Sequence, residues 1–324
     1  MVVDPVAEIA NKKMQANFGR IGVLMGGPST ERQISLKSGK AVYEALKQTG
    51  LMVEPIDIKS DNTQENTNLL NSYKIDCAFI ALHGRFGEDG QIQELLETLK
   101  IPYTGSGVAA SKLAMDKVAS LRIFEANGLN VPKSKVLEKG LYNPQEKFSQ
   151  DLGWPLVIKP ATQGSSIGLS IIEKEEELST ALALAFSYDE RVIIEEYIKG
   201  REVTVGILNE VALPVIEIVP KNKFFDFQAK YQHGMTDYIV PAELKKTVEK
   251  DVKEAALSAH RLLGCFGCSR VDIILDRDET PFILEINTIP GFTSTSLLPK
   301  AAKTQGLEFR DLCLELIKLA YVKK

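Results

Sequence analysis

Seven short apolar runs crowd the second half of this chain, and the gaps between several of them leave no room for a parallel crossover. Strands are predicted at 156–159, 169–173, 191–198, 202–208, 212–219, 270–275 and 281–287. A parallel link needs a dozen or more residues, whereas only 199–201 and 209–211 separate three of these runs, so the neighbours must pair antiparallel. With helices expected at 175–187 and 243–263, this half reads as α+β.

The first hundred residues follow the other rule. Buried runs at 20–25, 51–58 and 77–82 are spaced for crossovers, and the pattern is a mainly parallel, Rossmann-like βαβ unit reaching to about residue 115. Thr30-x-x-Gln33 reads as a capping box opening a helix on Ile34, Ala41, Val42 and Ala45, which Gly50 ends. The stretch between the second and third strands is polar, with a helix following at 91–99. A long helix is predicted over 108–126, closed by Gly128 and followed by Pro132. The stretch 308–321 is amphipathic and expected to pack.

Charge and composition narrow the function classes. The net charge is −4 with both signs interspersed, and no basic patch suggests nucleic acid. No run approaches the roughly 18 apolar residues of a membrane span, and residues 1–18 are too polar for a signal peptide, so a cytoplasmic protein with a small-molecule partner is expected. Cys77, Cys265, Cys268 and Cys313 lack the second ligand pair of a zinc site and read as buried, reduced thiols.

The candidate chemistry lies at strand ends and turns. On 270–276 and 282–287 the period of two puts Arg270 with Asp272 on one face and Glu285 with Asn287 on one face. A turn at Asp278-Glu279 would set Asp272 opposite Glu285 and Arg270 opposite Asn287. Opposed carboxylates repel unless a positive group sits between them, which suits a hard cation such as Mg²⁺; a solvated edge hairpin is the other reading. The loop 288–297 adds Gly291 and several hydroxyls beside that pair. Lys159 ends an apolar strand and leads into Gln-Gly-Ser-Ser-Ile-Gly168, a composition fit for an anion cradle or for a glycine-rich surface hairpin. It is not a P-loop, because the lysine precedes the glycines. His83-Gly-Arg-Phe-Gly-Glu-Asp-Gly90 leaves the C-terminal end of the third strand, a usual place for ligand groups in an open α/β sheet. Lys230-Tyr231 lies in a long segment, 220–241, of the kind that forms lids.

Several stretches stand in one order: Gly26-Gly-Pro-Ser-Thr-Glu-Arg32, His83 to Gly90, Tyr103-Thr-Gly-Ser-Gly107 leading to Met115-Asp-Lys117, the 159–168 loop, Ala229-Lys-Tyr231, and Leu284-Glu-Ile-Asn-Thr-Ile-Pro-Gly291 with Ser296-Leu297. Together they resemble the D-alanine:D-alanine ligase family of ATP-grasp enzymes, over about residues 20–320. The resemblance implies an N-terminal extension (1–19), a Rossmann-like domain (20–115), and a central (116–205) and a C-terminal (206–324) α+β subdomain clasping ATP under a lid loop at 220–241.

The implied roles follow the same motifs. Lys117, Lys159 and Lys230 would meet the phosphates and Ser165-Ser166 cover them. Glu195 would take the adenine amino group, Tyr197 and Ile198 line the base pocket, and Glu202 bind ribose. Asp272, Glu285 and Asn287 would hold two Mg²⁺ (or Mn²⁺) ions, and Arg270 with the Gly291 amide would stabilise an oxyanion. Glu31 would hold the ammonium of the first D-alanine with His83 near its carboxylate, and Ser296, beside Leu297, would bind the carboxylate of the second. Glu31, Ser165 and Tyr231 would link the domains. The expected partners are two molecules of D-alanine and, in a homodimer, a second copy of the chain; relatives that accept D-lactate or D-serine remain an open alternative.

Overall fold

The computed structural model describes residues 18–142, 146–220 and 236–323. Its first sheet is built from β1 (Arg20–Gly26), β2 (Met52–Ile58) and β3 (Cys77–Ile80), all parallel, in the order β2-β1-β3. Alternation along β1 covers both faces. Ile21 and Val23 pack towards α1 (Arg32–Lys47) and the final helix, α10 (Phe309–Val322), whereas Leu24 joins Ile92 and Leu96 of α3 (Gln91–Thr98). The amphipathic C-terminal stretch therefore packs, as expected, and it does so on the first sheet. Tyr321 donates its hydroxyl to the Phe18 carbonyl at 2.6 Å and stacks on the Phe18 ring.

The expected capping box is not made. Glu31 is the N-cap of α1, no side chain closes that turn, and the Glu31 carboxylate is used elsewhere. The polar stretch before β3 is a helix, α2 (Thr63–Tyr73), opened by Asn62, whose side chain accepts from Glu65 N–H; it buries little beyond Asn66 and Leu70, so apolar periodicity could not reveal it.

The predicted 108–126 helix is two helices, α4 (Val108–Met115) and α5 (Lys117–Ala126). Asp116 leaves helical geometry at ψ 96° and turns its carboxylate to cap Ala119 N–H. Side-chain capping competes with the helix ladder at such residues, which is why one long periodic run became two.

A second sheet of β4 (Ser134–Glu138), β7 (Arg191–Glu196), β5 (Leu156–Pro160) and β6 (Ser170–Ile172), in that order, is wholly antiparallel and carries α7 (Leu178–Phe186) on its apolar face. The third sheet runs β11 (Thr236–Ile239), β10 (Ile216–Pro220), β8 (Arg201–Leu208), β12 (Cys268–Leu275), β13 (Pro281–Asn287), with the two-residue β9 (Val211–Ala212) paired to β8. The antiparallel reading of this half holds. The single strand expected at 212–219 is split into β9 and β10 around Pro214, which has no N–H to give a ladder. β8 belongs to the third sheet throughout, so the change of sheet falls at 197–200, before the expected 205/206 division.

One face of the third sheet is closed by α5 and α8 (Lys246–Leu262). Val203, Val205, Val271, Ile273, Ile283 and Ile286 pack there with Leu121 and Phe124. The four cysteines are buried free thiols, and burial pushes Cys77, Cys265 and Cys268 up to about 12. Among the described residues no helix is long and apolar enough to cross a membrane.

Phe124 is fully buried where α5 meets this sheet. Phe124→Ala should cost about 3–5 kcal/mol of unfolding free energy, measured by urea titration; a loss below about 1 kcal/mol would mean that α5 is not anchored by this ring.

Candidate functional site

The second and third sheets line a cleft of about 370 Å³. Strand alternation decides what enters it. On β5, Leu156 and Ile158 point to the core while Val157 and Lys159 point to the cleft; on β12, Val271 and Ile273 are core while Asp272 and Ile274 face the cleft.

The β12–β13 hairpin pairs Asp272 with Glu285 and Arg270 with Asn287, the register expected from sequence, by a route that was not expected. Its loop is Arg277, Asp278 and Glu279, one residue longer than a two-residue turn, with Glu279 at φ +61° and the Asp276 side chain accepting from the N–H groups of Asp278 and Thr280. The ladder then slips by one between Asp272 and Ile273, leaving Leu284 as an extra residue on β13. This bulge restores the register at the site and turns both Leu284 and Glu285 towards the cleft, with Ile283 and Ile286 both in the core.

The opposed carboxylates are met by cations. Arg270 grips Asp272 with two hydrogen bonds, Nε to Oδ1 at 2.8 Å and a terminal nitrogen to Oδ2 at 2.7 Å. Thr204 on β8 adds its hydroxyl to Oδ1 at 2.6 Å, a contact that no sequence pattern announced. Lys117 Nζ lies 3.2 Å from Glu285 Oε2 and donates to the Gln163 carbonyl at 2.6 Å. On the opposite wall Lys159 Nζ is 2.8 Å from Glu195 Oε2, both side chains more than nine-tenths buried. Removing one partner of a pair this buried leaves an uncompensated charge, at a cost of about 3–5 kcal/mol. Glu195 Oε1 is buried with no hydrogen-bond partner among the described residues, an acceptor turned to whatever fills the cleft.

Ser165 and Ser166 both adopt left-handed backbone, φ +53° and +56°, and the Ile167 N–H closes the turn onto the Gly164 carbonyl at 3.1 Å. Such conformations cost non-glycine residues on the order of 1 kcal/mol each and persist where surrounding contacts impose them. The contact here is across sheets: the Ser165 hydroxyl donates to the Glu31 carboxylate. Gly84 and Gly164 make room for that carboxylate, since a Cβ on Gly84 would stand 2.7 Å from Glu31 Oε2.

His83 sits in the buried layer beneath. Nδ1 lies 3.0 Å from the Ile289 carbonyl, which can only accept, so this nitrogen carries the proton; Nε2 then accepts from the Ser38 hydroxyl at 2.9 Å. Ser38 Oγ in turn accepts from Phe292 N–H, and Asn287 Oδ1 accepts from Ile289 N–H. Glu88, from the same motif as His83, lies 3.4 Å from His83 Nδ1; burial pushes its carboxyl up to about 7, against the lowering His83 hydrogen bond.

Of the residues expected in a site, Lys117, Lys159, Ser166, Glu195, Tyr197, Ile198, Glu202, Asp272 and Glu285 line the cleft. Glu31 and Ser165 meet outside it, and His83 is linked to Glu31 through Ser29, whose hydroxyl donates to the His83 carbonyl and accepts from Glu31 N–H. Gly291 and Ser296 adjoin one another, a Cβ on Gly291 falling 3.3 Å from Ser296 Oγ, and Leu297 opens α9 (Leu297–Thr304). Lys230, Tyr231 and most of the expected lid lie outside the described residues.

Two antiparallel sheets clasping a cleft, with the Lys159–Glu195 pair buried on one wall and Lys117 beside the opposed carboxylates on the other, are the arrangement of the ATP-grasp fold. The family model for the D-ala D-ala ligase C-terminus matches residues 123–318, and that for the N-terminus matches 20–72 and 59–106. The chain is 49% identical over 310 residues to the D-alanine–D-alanine ligase of Pelotomaculum thermopropionicum, covering 93% of this chain and 96% of that one. It is 48% identical to that of Geotalea uraniireducens, covering 94% and 96%. Among solved structures, the D-alanine–D-alanine ligase of Bacillus anthracis complexed with ATP superposes with a TM-score of 0.82 at 34% identity, covering 94% and 97%. The VanG D-Ala:D-Ser ligase of Enterococcus faecalis gives 0.78 at 32% identity, covering 93% and 99%. The chain belongs to the D-alanine–D-alanine ligase family.

Glu88 supplies a pH test. Its folded pKa is raised from 4.5 to about 7, so the folded state holds the proton more tightly than the unfolded chain. Stability from this group is full below about pH 4.5 and is lost as pH rises towards and through about 7. Glu88→Gln should match wild type near the acid end and exceed it at about pH 8 by on the order of 2 kcal/mol in urea titrations. Parallel pH profiles for the two proteins would contradict this.

Proposed function

We propose that this chain is an ATP-dependent ligase that joins two D-alanines into D-alanyl-D-alanine, a peptidoglycan precursor, through an acyl phosphate. The observation that carries the reading is the matched set of charges lining one cleft, Lys117 and Lys159 with Asp272 and Glu285, in a chain of this family.

The cleft suits ATP along its length. Glu195 Oε1, unpartnered among the described residues, fits a donor such as the adenine amino group, Tyr197 and Ile198 border that end, and Glu202 suits a ribose hydroxyl. Lys117 and Lys159 would neutralise phosphate oxygens, and Ser166 would cover them. Asp272, Glu285 and Asn287 bring hard oxygen donors together on paired strands and fit two Mg²⁺ or Mn²⁺ ions. Those ions, when bound, would offset phosphate charge and orient the transferring group.

In the first step one D-alanine's carboxylate attacks the γ-phosphorus, giving the acyl phosphate and ADP. Glu31 would hold the ammonium of this D-alanine, and His83, its donor nitrogen set by Ile289, would stand near the carboxylate. In the second step the amine of the other D-alanine, held by Ser296 beside Leu297, attacks the acyl carbon and phosphate leaves. Arg270 and the Gly291 amide would stabilise the oxyanion. An acyl phosphate is readily lost to water, which gives a lid carrying Lys230 and Tyr231 a purpose. A homodimer in the cytoplasm completes the reading and rests on the family likeness.

ADP release should depend on D-alanine and fail with L-alanine, and D-serine offered as second substrate tests the subsite; ADP release indifferent to alanine chirality would overturn the reading. Lys159→Ala should lower kcat/KM for ATP by about 100-fold or more in a protein that still folds. Retained activity would remove Lys159 from the phosphate site.

A further inference from the structure

The residue that broke the predicted long helix does more than end it. Asp116 Oδ1 accepts from Ala119 N–H at 3.1 Å and starts α5, while Oδ2 accepts from Arg191 at 2.7 Å. Lys117, the next residue, donates its backbone N–H to the Ala161 carbonyl at 3.0 Å and its ammonium to the Gln163 carbonyl at 2.6 Å.

Arg191 grips the same strip from the other side. Its carbonyl accepts from Ala161 N–H at 3.0 Å, and its own N–H goes to Asp189 Oδ1 at 3.0 Å. Asp189 Oδ2 then accepts from both the N–H of Thr162, at 2.8 Å, and its hydroxyl, at 2.6 Å. Residues 161–163, which lead directly into the Gly164-Ser165-Ser166 turn, are therefore held between Lys117 on one flank and the Arg191–Asp189 unit on the other, and Asp116 ties the two flanks together.

The geometry points to Asp116, Arg191 and Asp189 as positioning residues that fix the Lys117 ammonium and the entrance of the glycine–serine loop relative to each other, so that both meet one triphosphate. This rests on the nucleotide reading given above. The Asp116–Arg191 pair is about one-quarter to one-third exposed, and pairs of that kind contribute little to global stability. Its value lies in geometry: small misplacement of a charge-neutralising group is costly where a transferring phosphoryl group must be met in line.

Asp116→Asn separates this role from plain helix capping. Asparagine caps as well as aspartate, so the Ala119 N–H keeps its acceptor, but an amide offers Arg191 only a neutral partner. Titration calorimetry of Mg-ATP into wild type, Asp116→Asn, Arg191→Gln and the double variant reads the effect without turnover. Each single change should weaken Mg-ATP by about 5–10-fold, and the double variant should be little worse than the weaker single, as for coupled partners. In kinetics KM for ATP should rise by a similar factor while KM for the second D-alanine holds. Wild-type affinity in Asp116→Asn, multiplying losses in the double variant, or losses that simply track the folded fraction would overturn the positioning role. If wild type itself bound no Mg-ATP, the nucleotide reading would fall, and the positioning role with it.

Discussion

Asp272 and Glu285 face each other across adjacent strands, and the cleft depends on that placement being made tolerable. Two carboxylates at directly opposed sheet positions repel, and here Arg270, Lys117 and the Thr204 hydroxyl answer them. The same logic repeats on the facing wall, where Lys159 and Glu195 are buried as a pair. Arg270, Lys117 and Lys159, proposed to meet oxyanion or phosphate, thus each already hold an acid proposed to meet metal or base. A bound metal–nucleotide complex would bring both signs of charge at once and exchange partners with these pairs, without requiring a bare charge at any stage.

Beside the apolar core that the first and third sheets share, a handful of polar contacts join the three sheets. Ser165 joins the second sheet's loop to Glu31 at the start of α1, and His83, just past β3, reaches the Ile289 carbonyl and, through Ser38, the Phe292 amide. Ile289 in turn bonds the Asn287 side chain. The loop 288–292 therefore couples the acidic hairpin to the buried histidine in two hydrogen bonds, and the groups proposed for the first amino acid and for the phosphate are placed by one continuous set of contacts.

Much of this was legible in the sequence because it rests on periodicity and connection length. Crossover spacing announced the parallel first sheet, and three-residue gaps announced the antiparallel ones. What stayed hidden involved residues whose local signal was outvoted by a tertiary partner. Thr30 and Gln33 looked like a capping box, but Glu31 occupies the cap. Asp116 looked like one more helical residue, but capping and Arg191 pulled it out of the helix. The hairpin register came out as expected only because a longer turn and the Leu284 bulge offset one another; neither is visible in residue types, since Glu279 is an unusual choice for a left-handed position. Thr204 and Glu88 matter through what they touch, and a sequence does not record contacts.

The packing of α10 on the first sheet has a consequence for how the chain is made. Residues 309–322 leave the ribosome long after β1, yet Leu312, Leu316 and Ile317 fill the same core as Ile21 and Val23, and Tyr321 closes on Phe18. During synthesis, then, β1 waits with one apolar face uncovered until α10 has emerged, whereas the second sheet, drawn from 134–196, has all its strands well before that. The second sheet is equipped to fold before the first.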